Sequence, residues 1–169
     1  MVNPRRLLRL NVGFILHEEI GYSHSFSFAF ERARLGDDLD LGGLNGELTI
    51  GRTAQGLILN GSFRAETRLT CVRCLKDFDK DLTWSFTELY AMNEKSVSES
   101  DLILPEDAHI DLEPLIREYA ILEVPISPLH SKDCKGLCPV CGQDLNDLDC
   151  GHRPKDSTGP FAALKDFYT

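Results

Sequence analysis

The sequence predicts an α+β fold: an antiparallel, curled sheet containing one long hairpin, one main helix, and a C-terminal segment stapled by zinc. Three observations predict it. Through much of residues 8–90, apolar side chains alternate with polar ones at the two-residue period of a strand. At about 112–123 a single apolar stripe has helical spacing and runs into prolines. Six cysteines and two of the five histidines fall within 71–74 and 130–152.

The elements follow in chain order. Leu8, Leu10, Val12 and Phe14 alternate with Arg9, Asn11 and Gly13 as a first strand, and Phe26, Phe28 and Phe30 mark a second. Residues 37–43, rich in Asp and Gly, read as a turn, and Gly46 to Ile50 as a short strand. Thr53–Gly56 reads as a tight turn with Gly56 at positive φ. From Leu57 to Leu69 the apolar and small residues sit at odd numbers. After Cys71-Val-Arg-Cys74 they move to even numbers: Phe78, Leu82, Trp84, Phe86 and Tyr90. A hairpin with Cys71 and Cys74 at its tip accounts for the switch, with Phe63 opposite Leu82 and Leu59 opposite Phe86 on one buried face.

Residues 91–109 are polar and acidic and read as a mobile loop. The helix at 112–123 takes Asp111 as its cap and Pro114 in its first turn; its stripe is Leu112, Leu115, Ile116, Tyr119 and Leu122. Pro125 and Pro128 end it. The tail Gly159 to Tyr168 is expected to form a short helix burying Phe161, Leu164 and Phe167 or Tyr168. The expected organisation is therefore a sheet-plus-helix domain over 1–128, with a metal-binding segment and short helix over 129–169 packed on it.

Composition narrows the class. A hydrophobic fraction of 42% and a charged fraction of 27% are those of a soluble globular chain. No stretch approaches the roughly 18 apolar residues of a membrane span. The start has basic residues without the apolar run of a secretory signal, so the expected location is cytoplasmic. The net charge of −9 is concentrated in residues 88–123, which carry ten acidic and two basic side chains. No strongly basic nucleic-acid footprint results. The candidate phosphate-facing residues are Arg64, Arg68, Arg73 and Lys76 along the outer face of the hairpin, with Arg5, Arg6 and Arg9 as a second cluster; Glu66, Asp77 and Asp79 dilute the first, and a solvated strand face is its simpler account.

The cysteines carry the chemistry. A reducing compartment disfavours structural disulfides, so clustered thiols there read first as metal ligands. The ligand pattern is Cys71-x2-Cys74, His130-x3-Cys134, Cys138-x2-Cys141 and Cys150-x-His152. Eight ligands make two closed tetrahedral sites, and closed N/S sites suit structural Zn²⁺. A two-residue spacer lets both thiolates of a tight turn face one ion. Three pairings are open. A sequential one groups Cys71, Cys74, His130 and Cys134, then Cys138, Cys141, Cys150 and His152. A ribbon joins Cys71 and Cys74 to Cys138 and Cys141, and a third puts Cys134, Cys138, Cys141 and Cys150 on one ion. The sequential pairing is favoured because it uses every ligand. One or two zinc ions would order residues 130–152, whose own apolar content is small; structural zinc contributes on the order of 10 kcal/mol in peptides.

Competing readings are weaker. A dithiol redox pair belongs at the start of a helix in a βαβ unit, whereas Cys71 and Cys74 lie between strands. There is no Gly-rich phosphate loop, nucleophile elbow or H-E-x-x-H, and Cys138-Pro-Val-Cys141 lacks the Pro-C-x-x-C order of zinc deaminases. No catalytic residue is assigned, and His17, His24 and His109 receive no role.

Several segments together resemble the YceD family of large ribosomal RNA subunit accumulation proteins. They are Cys71-Val-Arg-Cys74-Leu-Lys, the helix Asp111-Leu-Glu-Pro-Leu-Ile-Arg-Glu ending in Leu122-Glu-Val-Pro-Ile, Pro128-Leu-His-Ser-Lys-Asp-Cys-Lys-Gly-Leu-Cys-Pro-Val-Cys-Gly142 followed by Asp144-Leu-Asn, and Pro160-Phe-Ala-Ala-Leu-Lys165. The resemblance implies a non-enzymatic factor supporting accumulation of large-subunit (23S) rRNA, in processing or ribosome assembly. Its implied partners are the rRNA precursor, a ribosomal protein or an assembly factor, with no membrane and no small-molecule substrate. The alternatives are a zinc-stapled protein-interaction module outside the ribosome and, less favoured, a dithiol redox protein.

Overall fold

The structure is a computed structural model and describes residues 8–93 and 101–153. Its elements are β1 (Arg9–Asn11), α1 (Gly13–Leu16), β2 (Ser23–Leu35), β3 (Leu39–Arg52), β4 (Gly56–Thr70), β5 (Asp77–Ala91), β6 (His109–Asp111) and α2 (Glu113–Glu123). β2 to β5 form a four-stranded antiparallel meander in chain order, and β1 pairs with β6 in a separate two-stranded sheet. Antiparallel sheets with two helices fit the expected α+β class.

The alternation in β4 and β5 is realised directly. Leu57, Leu59, Phe63 and Ala65 of β4 are buried with Leu82, Trp84, Phe86 and Tyr90 of β5, while Asn60, Ser62, Arg64, Glu66 and Arg68 face water. The hairpin register differs from expectation by one step of the pleat. Thr70 pairs with Asp77, leaving 71–76 as the turn, so Phe63 faces Trp84, Ala65 faces Leu82 and Leu59 faces Glu88. The tip needs those extra residues because its cysteines form a metal-type knuckle rather than a minimal turn. Parity is unchanged by a two-residue shift, so the buried set is the one expected.

Phe63 centres the core, stacked on Trp84 and Phe86 with centroids 5.9 Å away in each case and tilted against Phe28 at 5.8 Å. Gly46 and Gly61 make room for this: a Cβ on either would overlap the Phe63 or Phe86 ring.

Several boundaries depart from the sequence reading. The first strand is short, because the Gly13 N–H donates to Asn11 Oδ1 at 2.9 Å and the chain turns into α1, leaving Phe14 exposed. Residues 39–43 are strand rather than turn, and β3 is one long strand. A bulge between Gly42 and Asn45 moves its buried residues from Leu39 and Leu41 to Leu44, Leu48 and Ile50, which hides the two-residue period. Gly56 is not left-handed; it is required because a Cβ there would strike the Tyr90 carbonyl.

The acidic segment is pinned where it is described. Ala91 donates to Leu102 O at 2.9 Å and accepts from the Leu104 N–H at 2.8 Å, while Leu102 and Leu104 pack on the core. The rest of the expected loop, 94–100, and the expected C-terminal helix at 159–168 lie outside the described residues.

In α2 the Asp111 carboxylate accepts the Glu113 N–H at 3.0 Å, and Leu115, Ile116 and Ala120 are buried. Leu122 is exposed; Ala120, whose small side chain hid it from a hydrophobicity count, completes the stripe. Tyr119 stacks on Phe86 at 5.1 Å and donates to Glu88 Oε1 at 2.6 Å, fixing α2 to β5. Two residues before Tyr119, Arg117 grips both carboxylate oxygens of Asp38 at 2.8 Å. Among the described residues no helix is long and apolar enough to cross a membrane.

Candidate metal centre

The tip of the β4–β5 hairpin and the chain after α2 form a second, smaller cluster, in which Cys71, Cys74 and Cys134 are buried with Leu129, Leu137 and Phe78 against them. Two tight turns build it, with the same backbone pattern. In the first, the Cys71 N–H donates to Lys76 O and the Leu75 N–H to Cys71 O, both at 2.9 Å. In the second, the Cys138 N–H donates to Gln143 O at 2.8 Å and the Gly142 N–H to Cys138 O at 2.9 Å. Leu75 and Gly142, each following the second cysteine of its turn, both adopt positive φ, of 60° and 74°. Both turns therefore aim two sulfurs the same way.

Each turn meets two further ligands. Cys71, Cys74, His130 and Cys134 present four ligand atoms within 4.8 Å of one another, and so do Cys138, Cys141, Cys150 and His152. In the first set Cys71 Sγ lies 3.8 Å from Cys134 Sγ, and Cys74 Sγ 3.2 Å from His130 Nδ1. In the second, His152 Nδ1 is 3.3 Å from Cys150 Sγ. These are the sequential groupings. The ribbon pairing and the four-cysteine set do not occur as clusters among the described residues.

The thiols are poised for a cation. Burial opposes the Cys71 thiolate, yet hydrogen bonds from the His130 ring and from the N–H groups of Cys74, His130 and Arg73 bring its pKa down to about 5. Burial pushes the Cys74 thiol up, and the Cys71 and Cys134 sulfurs add to the rise. In the second set the N–H groups of Cys141 and Val140 overcome burial and lower Cys138 to about 6. Cys150 gains from the His152 N–H, but the Cys138 and Cys141 sulfurs and burial outweigh it, and its pKa rises. Each set thus favours one thiolate and resists a second, because two negative sulfurs this close repel. A dication removes that conflict, and three sulfurs with one imidazole are a zinc-type donor set. Either cluster could hold one metal ion.

Residues outside the ligand sets fasten the two turns together. The Leu137 N–H donates to Arg73 O at 3.0 Å, and the Arg73 guanidinium donates to Cys134 O at 2.8 Å. Lys76 bridges Asp144 at 2.7 Å and Asp147 at 3.1 Å. Asn146 accepts the Lys135 N–H at 2.8 Å and places its own amide 3.5 Å from Cys134 Sγ. Sequence reasoning gave Asp144 and Asn146 no role beyond the Asp144-Leu-Asn segment of the family resemblance; nothing in that polar run marks them as partners of the hairpin tip. Arg73 and Lys76, candidates for phosphate contact with a solvated strand face as the simpler account, are both occupied within this scaffold. Arg68 lies 3.5 Å from Asp77 and remains largely exposed, Arg64 faces water, and Arg9 pairs with Asp107 at 2.6 Å. Arg5 and Arg6 lie outside the described residues.

Comparison with known proteins identifies the lineage. A family model described as "Large ribosomal RNA subunit accumulation protein YceD" matches residues 59–168, the hairpin through both metal-type sets and beyond. The chain belongs to the YceD family. An uncharacterized protein of Mycobacterium tuberculosis is 34% identical over 122 residues, covering 70% of this YceD-family chain and 58% of the relative. One from Mycobacterium leprae is 31% identical over 124 residues, covering 71% and 56%. An Arabidopsis thaliana protein named large ribosomal RNA subunit accumulation protein YCED homolog 1, chloroplastic, is 27% identical over 150 residues, 68% of this chain and 46% of its own. The chain thus spans a little over half the length of its mycobacterial relatives. No solved structure matches.

Proposed function

We propose that this YceD-family protein is a non-enzymatic, cytoplasmic factor that supports accumulation of large-subunit rRNA during ribosome assembly. In this reading each Cys/His set holds one structural zinc ion, and the two ions stiffen the hairpin tip into a docking platform. The observation that carries it is the pairing of two complete donor sets with a family whose name refers to large-subunit RNA. Zinc would act by tying residues 130–152, which lack an apolar core of their own, to the end of a rigid hairpin.

The contact is proposed to run through protein more than through phosphate. The chain carries −9, and two of four candidate phosphate-binding cations are spent inside the scaffold. Around the turns Val72, Leu75, Val140 and Leu148 are exposed, an apolar surface of the kind that anchors protein partners.

Depletion of the protein followed by sucrose-gradient sedimentation tests the role. Loss of mature large subunits, with the protein itself co-migrating with their precursors, is expected; normal subunit profiles would overturn it. Metal analysis of protein purified without added zinc is expected to give two ions per chain. Thiol titration before and after chelation separates the redox alternative, which requires a fast-reacting thiol with no metal removed.

A further inference from the structure

The two edges of the main sheet are treated differently. β5 is dense with charge, carrying Asp77, Asp79, Lys80, Asp81 and Glu88, and its end is covered where Ala91 bridges to Ile103. β2 is the opposite edge, and among the described residues no strand pairs with its outer side. Its first part, Ser23-His-Ser-Phe-Ser-Phe-Ala-Phe30, has no Lys, Arg, Asp, Glu or Pro. Proteins ordinarily blunt such an edge with charge, proline or a bulge, because unpaired N–H and C=O groups recruit another strand.

The segment also complements itself. In an antiparallel pairing centred on Ser27, Phe26 of one copy meets Phe28 of the other, Ser25 meets Ala29, and His24 meets Phe30. All the aromatic residues then lie on the core face and all the small ones on the outer face. Phe26 and Phe30 are only partly buried in the single chain. Phe14, Ile20 and Tyr22 stand exposed beside the start of the strand, where the His24 ring contacts Phe14 at 5.2 Å and Phe26 at 4.8 Å.

We propose that β2 is a self-association edge: two copies join through antiparallel β2–β2 pairing about Ser27 into one continuous eight-stranded sheet. Main-chain hydrogen bonds supply much of the affinity, and the phenylalanine face sets the register.

Sedimentation velocity of the full chain across the micromolar range tests this. A concentration-dependent dimer is expected. Ser27→Lys places two ammonium groups at the symmetry axis and is expected to weaken association by about tenfold or more. Ser62→Lys, on the same outer face of central strand β4, should leave it unchanged. The register has its own test in a matched pair of double variants, one of which keeps association: Ser25→Lys with Ala29→Lys is expected to give monomers, and Ser25→Lys with Ala29→Glu to give dimers. A chain that stays monomeric at every concentration, or a dimer indifferent to all these substitutions, would overturn the proposal.

Discussion

Leu75 and Gly142 occupy the same place in two copies of one turn, yet one is a branched apolar residue. A left-handed backbone costs a non-glycine residue roughly 1–2 kcal/mol, so Leu75 is held there by its surroundings. The residue is 64% exposed, so the backbone hydrogen bonds of the turn, not side-chain packing, hold it there. Gly142 has open space where a Cβ would go, whereas at Gly136, also left-handed, a Cβ would sit 3.0 Å from the Arg73 carbonyl. Gly142→Ala is therefore expected to cost about 1 kcal/mol, the conformational term alone. Gly136→Ala should cost more, because the contact between the turns must also give way. Urea titration of the metal-loaded protein checks the order; equal losses would contradict the packing argument.

At the scale of elements, the helix and the hairpin are joined by one hydrogen bond whose strength depends on pH. The bond to Glu88 raises the Tyr119 hydroxyl to about 12, with burial and the negative charge of Glu88 adding to the shift. A raised acid is stabilising in its protonated form. The contribution is complete below the ordinary tyrosine value of 10.0 and is lost as pH rises through about 12. Tyr119→Phe should remove that alkaline step and cost about 1 kcal/mol at neutral pH. Thermal melts of the two proteins from neutral to alkaline pH give the comparison, and identical alkaline profiles would refute it.

The two ligand sets also differ as elements. Three of the first set's thiols are buried, while in the second Cys141 and His152 are exposed. Chelator-driven metal release, followed by a zinc indicator, is expected in two phases. Cys141→Ser should abolish the fast phase alone. A single phase, or loss of the slow one, would show that exposure does not set lability.

For the whole molecule, the sheet core and the metal end are separate clusters. Phe63, Trp84 and Phe86 lie in the first, and Cys71, Cys74 and Cys134 in the second. Removing metal should therefore leave the far-ultraviolet strand signal and the near-ultraviolet signal of Trp84, the single tryptophan, largely intact, while protease cuts appear in residues 130–152. Global loss of both signals would mean that the two clusters fold as one.

The sequence by itself determined the β4–β5 hairpin, the buried faces of its strands, α2 and the identity of all eight candidate ligands. These depend on short-range facts: the two-residue period, the helical stripe and the spacing of cysteines within a turn. Only the tertiary structure decided what depends on residues far apart in the chain. It paired His130 and Cys134 with the hairpin tip, spent Arg73 and Lys76 on that junction, and lengthened β3 across a bulge that breaks the period. It also left β2 as the bare edge of the sheet. An edge, a bulge and a shared ligand set are properties of how strands and loops meet, and no local pattern of side chains encodes such a meeting.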